Sequence, residues 1–229
     1  MSKTFATMQA NVGNNVQNSD AEFATLIGVW LNDAYRDIAR RCLWSDLIDF
    51  DKTFTSIAGS ATYTLATDFD EEVYVADKTN GHPLKRYTEG KWWEEYNNQY
   101  DAATIANGNP VRYVIREEAN KIMLDPPPDT SSETYAIPYK KSITDLTSAD
   151  TPSIRDVELA MEMYAIAQAW AYERQFAKAD WYMQRYEIAV AQRISQERSK
   201  PNQRYQMISQ SYRVLGLRQL TGDRSYDSI

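Results

Sequence analysis

Apolar residues recur every three to four positions in two long stretches, one toward each end of the chain. The first stretch has apolar residues at Phe23, Leu26, Ile27, Trp30, Leu31, Ala34, Tyr35, Ile38, Ala39 and Cys42, and polar residues at Asn32, Asp33, Arg36, Asp37, Arg40 and Arg41. This period predicts an amphipathic helix of about six turns that buries one stripe. Ser19 and Glu22 have the spacing of a capping box, which predicts the start of the helix. A weaker pattern from Lys3 to Val12 predicts a short preceding helix, ended by Gly13 and the nearby asparagines.

The second stretch follows Pro152 and is densely apolar. Apolar residues dominate from Val157 to Phe176 and again from Trp181 to Ile194. Proline is tolerated near a helix start because the first backbone N–H groups lack intrahelical partners. We expect two helices joined by a turn near residues 175–178. No glycine or proline marks that turn, so a single unbroken helix is the alternative, and Pro201 ends the element in either case.

Between these stretches the period changes to two, which is typical of short strands. The candidate strands lie near residues 62–65, 73–75, 111–116, 121–124 and 135–139. Turn signals separate them: Asn80-Gly81, residues 108–110, a tight connection at 118–120 and three prolines at 126–128. One short helix is predicted from Thr88 to about Tyr100. This pattern indicates a small antiparallel β domain.

The order of these elements predicts an α+β protein. Neither helical half can bury its apolar stripe alone, so residues 1–49 and 146–199 are expected to form one helical bundle. The β domain, residues 50–145, would be inserted into that bundle. Residues 200–229 would form an extended C-terminal arm.

Composition and charge exclude several functions. The net charge of −7 argues against tight, sequence-specific DNA binding, which relies on clustered Lys and Arg. Cys42 and His82 are the only residues of their types, so a Ser-His-Asp or Cys-His site would need these single residues to meet, and a disulfide or His-rich metal site is not expected. No apolar stretch is long enough for a membrane span and the N-terminus has no signal-peptide pattern, so we expect a cytosolic protein without cofactor or metal.

The last thirty residues are neither periodic nor a simple polar linker. Apolar, aromatic and arginine residues alternate there, and they are the predicted partner-binding residues: Arg204, Tyr205, Met207, Ile208, Tyr212, Arg213, Val214, Leu215, Leu217, Arg218, Leu220 and Tyr226. Fully extended, such a segment reaches ~100 Å. We expect an arm that becomes ordered on a partner. Packing onto its own bundle, or a basic tail for nucleic acid, are the alternatives.

Several segments resemble the head-to-tail adaptor, or connector, proteins of tailed bacteriophages. They are residues 30–41 with Trp44 and Asp49-Phe50, residues 59–65 before Asp68-Phe69, residues 108–113, 122–128 and 135–141, and the region from Leu146 to Pro152. The resemblance covers most of residues 20–199. It implies a structural virion protein without catalytic residues, at the head–tail junction and in the host cytoplasm during assembly.

The resemblance also implies specific partners. It implies a ring, commonly of twelve subunits, that attaches to the portal through the C-terminal arm and to tail or nozzle proteins through the β domain. Genomic DNA would pass through the ring without sequence-specific binding.

Two other functions remain to be tested. The carboxylates at Asp68, Asp70, Glu71 and Glu72 could serve a carboxylate-based phage enzyme if they converge in one pocket. Arg36, Arg40 and Arg41 could serve a DNA-binding module, although pairing with Asp33 and Asp37 is expected at helical spacing.

Overall fold

In the computed structural model, which describes residues 2–18, 20–95, 106–116 and 119–200, the chain is α+β, as predicted. Five helices are present in those ranges: α1 (Phe5–Val16), α2 (Ala21–Arg41), α3 (Glu89–Glu95), α4 (Glu158–Tyr172) and α5 (Phe176–Ser199). The chain divides into two compact units, with the crossings after Asp46 and after Thr144. We call the unit that contains α1, α2, α4 and α5 the helical unit, and Leu47–Thr144 the β unit.

Helix α4 lies at the centre of the helical unit and contacts α1, α2 and α5. It buries four alanines together with Met161 and Ile166, and the small side chains allow the neighbouring helices to approach closely. One carboxylate is buried among them: Glu162 accepts hydrogen bonds from Lys3 at 2.7 and 2.8 Å and from Asn11 at 2.7 Å. These contacts attach α1 to α4.

Helix α1 extends beyond its predicted end. The prediction that Gly13 ends the helix was wrong, because α1 continues to Val16 and the left-handed Gln17 caps it. Phe5, Met8, Val12 and Val16 are all buried. Burial of this regular stripe outweighs the modest cost of glycine in a helix interior, about 1 kcal/mol.

Helix α2 has the predicted length and buried stripe. The N-cap residue is Asp20, whose side chain makes no capping hydrogen bond, and not the predicted Ser19, which lies outside the described residues. Asn32 was assigned to the polar face but is buried. Its side chain donates to the carbonyl of Leu146 at 3.3 Å and accepts from the Leu146 N–H at 2.8 Å, which satisfies the buried amide.

The α4–α5 connection is a turn of three residues, so the prediction of two helices is confirmed and the single-helix alternative is wrong. Arg174 takes the left-handed conformation, with φ of 59°, that a glycine would otherwise mark. Helix α4 begins at Glu158, six residues after Pro152, which is later than the proline suggested.

The described part of the β unit contains eleven short strands in three sheets. The strands are β1 (Ile48–Asp49), β2 (Thr53–Thr55), β3 (Thr62–Thr64), β4 (Phe69–Glu72), β5 (Ala76–Asp77), β6 (His82–Pro83), β7 (Lys85–Tyr87), β8 (Arg112–Arg116), β9 (Lys121–Asp125), β10 (Thr134–Ala136) and β11 (Tyr139–Lys141). The sheet orders are β1-β11-β4, β2-β10-β5-β6 and β3-β9-β8-β7. The antiparallel β8–β9 pair and Asn120, with φ of 48°, agree with the predicted tight connection at 118–120, of which residue 118 lies outside the described residues.

An antiparallel β domain had been predicted, but the β unit also contains a parallel pair of strands. Strands β7 and β8 pair in parallel, which requires a long crossover connection. The intervening segment contains α3, whose Trp92 packs with Val114 and Met123 on one face of the sheet. The opposite face carries the main core, which includes Tyr113, Ile122, Leu124 and Tyr135. Burial on both faces explains why β8 and β9 are almost continuously apolar.

Candidate functional site

The described chain ends in a cluster of charged groups around the last turn of α5. We call this set the α5 ion cluster; its members are Ser45, Asp46, Arg155, Arg193, Glu197 and Lys200. The Glu197 side chain is fully buried, and its Oε2 lies 2.9 Å from Arg193 Nη1 and 2.7 Å from Lys200 Nζ. Its Oε1 accepts a hydrogen bond of 2.8 Å from the backbone N–H of Ser45. The cluster therefore ties the end of α5 to the turn that precedes the β unit.

The second carboxylate of the cluster, Asp46, binds the loop before α4. Arg155 Nη2 donates to Asp46 Oδ1 at 2.6 Å, and the Arg155 backbone N–H donates to Oδ2 at 3.1 Å. Arg193 Nη2 lies 3.4 Å from the same Oδ2, and Arg193 Nε donates to the Arg155 carbonyl at 2.9 Å. Three cations thus surround two largely buried anions, so each buried charge is compensated.

The electrostatics of Glu197 follow from this geometry. Burial opposes its charged form, but hydrogen bonds from Lys200, Ser45 and Arg193 outweigh that cost and lower its pKa to about 2. The pKa of Asp46 is also lowered, since its bonds to Arg155 outweigh burial. Both groups are therefore charged at neutral pH.

The predicted partner-binding residues of the arm follow this cluster directly. They are Arg204, Tyr205, Met207, Ile208, Tyr212, Arg213, Val214, Leu215, Leu217, Arg218, Leu220 and Tyr226, and all of them lie outside the described residues. The cluster itself had not been predicted. The available signal was the i, i+4 pair Arg193 and Glu197, which falls on the otherwise apolar stripe of α5 that includes Ala179, Tyr186 and Val190.

Helix α5 also presents apolar side chains on the face opposite its buried stripe. Trp181 is 49% exposed and Ile188 is 57% exposed. The two residues are two helical turns apart along α5. The guanidinium of Arg185 lies 4.5 Å from the centroid of the Trp181 ring. A helix that is apolar on two faces is typical of one that packs between its own unit and a neighbour.

A second exposed apolar area lies around the α4–α5 turn. Tyr172 is 61% exposed, and its ring lies 5.8 Å from that of Phe23 and 6.2 Å from that of Trp30, centroid to centroid. Phe176, the first residue of α5, is exposed as well. Aromatic residues are favoured in the buried centre of protein interfaces.

The carboxylates proposed for an enzyme do not form one site. Asp68 accepts from the Tyr139 hydroxyl at 2.7 Å and Asp70 pairs with Lys140 at 2.6 Å. Glu72 is buried, which raises its pKa, and it lies 2.9 Å from Arg86. Across the part of the chain that the structure describes, no group of three or more His, Cys, Asp or Glu residues is placed to hold a metal ion.

The single cysteine and histidine have separate surroundings. Cys42 is buried at the end of α2, as its place on the apolar stripe predicted, and burial raises its pKa. His82 Nε2 lies 3.2 Å from the carbonyl oxygen of Pro110.

The arginines considered for DNA binding are largely engaged by carboxylates. Arg36 pairs with Asp33 at 2.7 Å and with Asp145 at 2.6 Å. Arg41 pairs with Asp37 and Glu187, and its pKa is raised by these hydrogen bonds. An arginine that is already paired with a carboxylate displaces few counterions from DNA phosphates. This pairing weakens the DNA-binding alternative.

Comparison with known proteins agrees with the resemblance seen in the sequence. Among the described residues, no helix combines the length and the apolar character that a bilayer span requires.

A search of curated proteins found no match. The family model for the SU10 adaptor protein matches residues 3–209, which is most of the chain. The chain therefore belongs to this family of phage head-to-tail adaptor proteins, which is structural in character.

Proposed function

We propose that the protein is a subunit of an adaptor ring that joins the capsid portal to the tail. The observation that carries this proposal is the family match over residues 3–209, which spans both units. The ring, of twelve subunits, would lie at the head–tail junction of the virion and line the channel through which DNA leaves. Subunits would be made in the host cytoplasm and would enter the ring during assembly.

The two exposed apolar areas of the helical unit support contacts between subunits. A ring requires two different complementary patches on each copy, whereas a two-fold dimer uses one patch twice. The face of α5 with Trp181 and Ile188 and the aromatic area around Tyr172 supply two such patches. The helical unit would therefore form the body of the ring.

The α5 ion cluster supports the proposed arm. It fixes Lys200, the residue after which the arm begins, so that the arm leaves from a defined point. Residues 201–229 carry four arginines and two aspartates, and their net charge of +2 favours an acidic partner surface. We assign this partner as the portal.

The charge of the β unit suits a wall that DNA passes. Residues 47–144 carry ten basic and sixteen acidic residues, a net charge of −6, so the β unit repels phosphate. We assign tail or nozzle proteins as the partners of this unit.

The test is a chain that ends after Lys200. This end keeps the Lys200–Glu197 pair, so we expect normal folding but loss of attachment to portal-bearing capsids in a co-sedimentation assay. The matched control is the full chain with Arg204, Arg213 and Arg218 replaced by lysine, which keeps the length and charge. Attachment of the shortened chain at the wild-type level would refute the role of the arm.

A further inference from the structure

Helix α5 carries two lines of residues with the same spacing, on opposite faces of the helix. The first line is buried in the helical unit, apart from the half-buried Met183, and its members are Ala179, Met183, Tyr186, Val190, Arg193 and Glu197. The second line we call the outer seam, and its members are Ala177, Trp181, Gln184, Ile188, Ala191 and Ser195. Both lines advance by alternate steps of four and three residues, which is the spacing of the a and d positions of a coiled coil.

The outer seam is uncharged along its whole length and is not covered by the helical unit. All of its residues are exposed. Trp181 and Ile188 occupy a positions and are its largest side chains, while Ala177, Gln184 and Ala191 occupy d positions. At 1.5 Å per residue the seam is ~27 Å long. An exposed line of this spacing and length without a charge is typical of a helix that packs against a second helix.

The two borders of the outer seam have opposite charges. One border, the e positions, contains Lys178 and Arg185, and the other border, the g positions, contains Asp180 and Glu187. In a parallel pair of helices each g residue faces an e residue of the partner, whereas in an antiparallel pair g faces g and e faces e. Two copies of α5 therefore attract one another along both borders when they run parallel, and repel when they run antiparallel. The seam is complementary to itself in one orientation only.

One acidic and one basic side chain on these borders are available for such a contact. Lys178 Nζ lies 3.9 Å from the centroid of an aromatic ring of α4, and Glu187 pairs at 2.6 Å with an arginine of α2, so both have partners in their own helical unit. Asp180 and Arg185 form no ion pair within the part of the chain that the structure describes. In a parallel pair in register, Asp180 would face Arg185 of the second copy, and two-fold symmetry makes this contact twice.

The segment that follows α5 is a poorer match for the outer seam. Residues 201–222 contain three arginines and no acidic residue, and Gly216 and Gly222 interrupt a helix there. This segment would meet the acidic border of the seam but would leave the basic border without a counter-charge. A second copy of α5 supplies both charges and an uncharged line of the same spacing.

We propose that two free subunits pair in parallel through the outer seams of their α5 helices. Trp181 and Ile188 of each copy would pack against the same residues of the other, which buries the two large exposed apolar side chains of the seam. The pair goes beyond the proposed function, because one patch used twice makes a closed dimer and cannot extend into a ring. Its consequence for assembly does rest on that function: the pair covers a face that the ring requires, so the two copies must separate before they enter the ring.

The first test determines the orientation of the pair with single cysteines near the two ends of the outer seam. Ala177 and Ala191 both occupy d positions and lie about 21 Å apart along the helix. With a short bis-maleimide reagent, Ala177→Cys and Ala191→Cys should each crosslink to the same residue of a second copy, at least tenfold more than the wild type does. Gln196→Cys, an exposed position of α5 outside the seam, is the matched control. Absence of crosslinking at either end, or crosslinking only between the two variants when they are mixed, would overturn the parallel pair.

The second test exchanges the charges of the two borders in the full chain. Asp180→Arg and Arg185→Asp each place like charges opposite one another in the pair, so each variant alone should associate about tenfold more weakly than the wild type in analytical ultracentrifugation. A one-to-one mixture of the two variants restores both contacts and should associate as the wild type does. Gln196→Arg changes the charge of α5 outside the seam and should leave association unchanged. A mixture that associates no better than the separate variants would contradict the pairing of the two borders.

A third measurement separates a second copy from the arm as the occupant of the outer seam. A chain that ends after Lys200 should associate as strongly as the full chain, and loss of association would assign the contact to the arm and overturn the proposal. All three tests are made without the portal, so a failure of portal attachment leaves the pair standing. A wild type that stays monomeric at every concentration would overturn the pair and leave the proposed ring standing.

Discussion

Replacement of Glu197 by glutamine tests whether the α5 ion cluster holds the end of the helix. The carboxylate is fully buried and receives bonds from Ser45, Arg193 and Lys200. Glutamine retains one oxygen that can accept from Ser45. Its amide NH₂ group, however, would face cationic donors, and Arg193 would keep only its 3.4 Å contact with Asp46 as a buried counter-charge.

The loss of unfolding free energy in Glu197→Gln can be obtained in two ways. Hydrogen bonds to charged groups contribute about 1.5–3 kcal/mol each, and removing one partner of a buried pair costs about 3–5 kcal/mol. A pKa lowered from 4.5 to about 2 corresponds to an upper bound of about 3 kcal/mol. Because Lys200 is 37% exposed and can be hydrated, solvent screening reduces that bound. We expect Glu197→Gln to lower the free energy of unfolding by about 2–3 kcal/mol, which lowers Tm by roughly 5–10 °C.

The assay is thermal and urea unfolding followed by circular dichroism, repeated from pH 7 down to pH 2. The folded-state pKa of Glu197 lies below its ordinary value, so its contribution is complete above about 4.5 and is lost as the pH falls toward 2. The difference between wild type and variant should shrink over that window. The matched control is Glu187→Gln on the same helix, whose carboxylate is 51% exposed and should cost under about 1 kcal/mol. The reasoning would be refuted if the two variants had equal free energies of unfolding at pH 7. It would also be refuted if the difference between wild type and Glu197→Gln did not change with pH.

Two further predictions concern the other buried ionisable groups. Burial raises the pKa of Glu72, so Glu72→Gln should change the stability at pH 7 by less than about 1 kcal/mol, and the wild type should gain stability relative to this variant as the pH is lowered toward 4.5. Urea titrations at pH 7 and pH 5 check the sign, which is opposite to that for Glu197. Cys42 should react with a thiol reagent at least tenfold more slowly in native protein than in urea, because it is buried and its thiolate is disfavoured. Equal rates would show that the end of α2 opens readily.

The sequence was informative where one periodic pattern decided the structure. The stripe from Phe23 to Cys42 predicted α2 nearly to the residue. Two C-terminal helices were predicted without a glycine between them, although their turn was expected near residues 175–178 and lies at residues 173–175. It failed where tertiary contacts overrode local preference. Gly13 lies inside α1 because Met8, Val12 and Val16 are buried, and propensity alone cannot include that gain.

The parallel β7–β8 pair was missed for a different reason. Strand pairing depends on the path of residues 88–111, and the apolar run Tyr113–Ile115 is the same for a parallel and an antiparallel neighbour. The partners of Asp46 could not be predicted from the sequence either. Arg155 and Arg193 are distant in sequence, so helical spacing revealed the pair Arg193–Glu197 but not the larger cluster.

Polar contacts hold the helical unit at three positions: the two where the chain passes to and from the β unit, and the last described residue. Asp46, the last residue before the β unit, is held by Arg155, and the return of the chain is held at Asp145 by Arg36 and at Leu146 by Asn32. The third position is Lys200, which pairs with Glu197 at the end of the described chain, where the proposed arm would begin.

Apolar contacts stabilise without regard to direction, whereas a hydrogen-bonded ion pair has a defined geometry and, when buried, contributes little net stability. Polar anchors at these three points therefore fix position more than they stabilise the fold. In the ring proposed above, this property would let the connections start from the same place in every copy. It follows that Glu197→Gln should reduce attachment through the arm by a larger factor than other variants of equal stability.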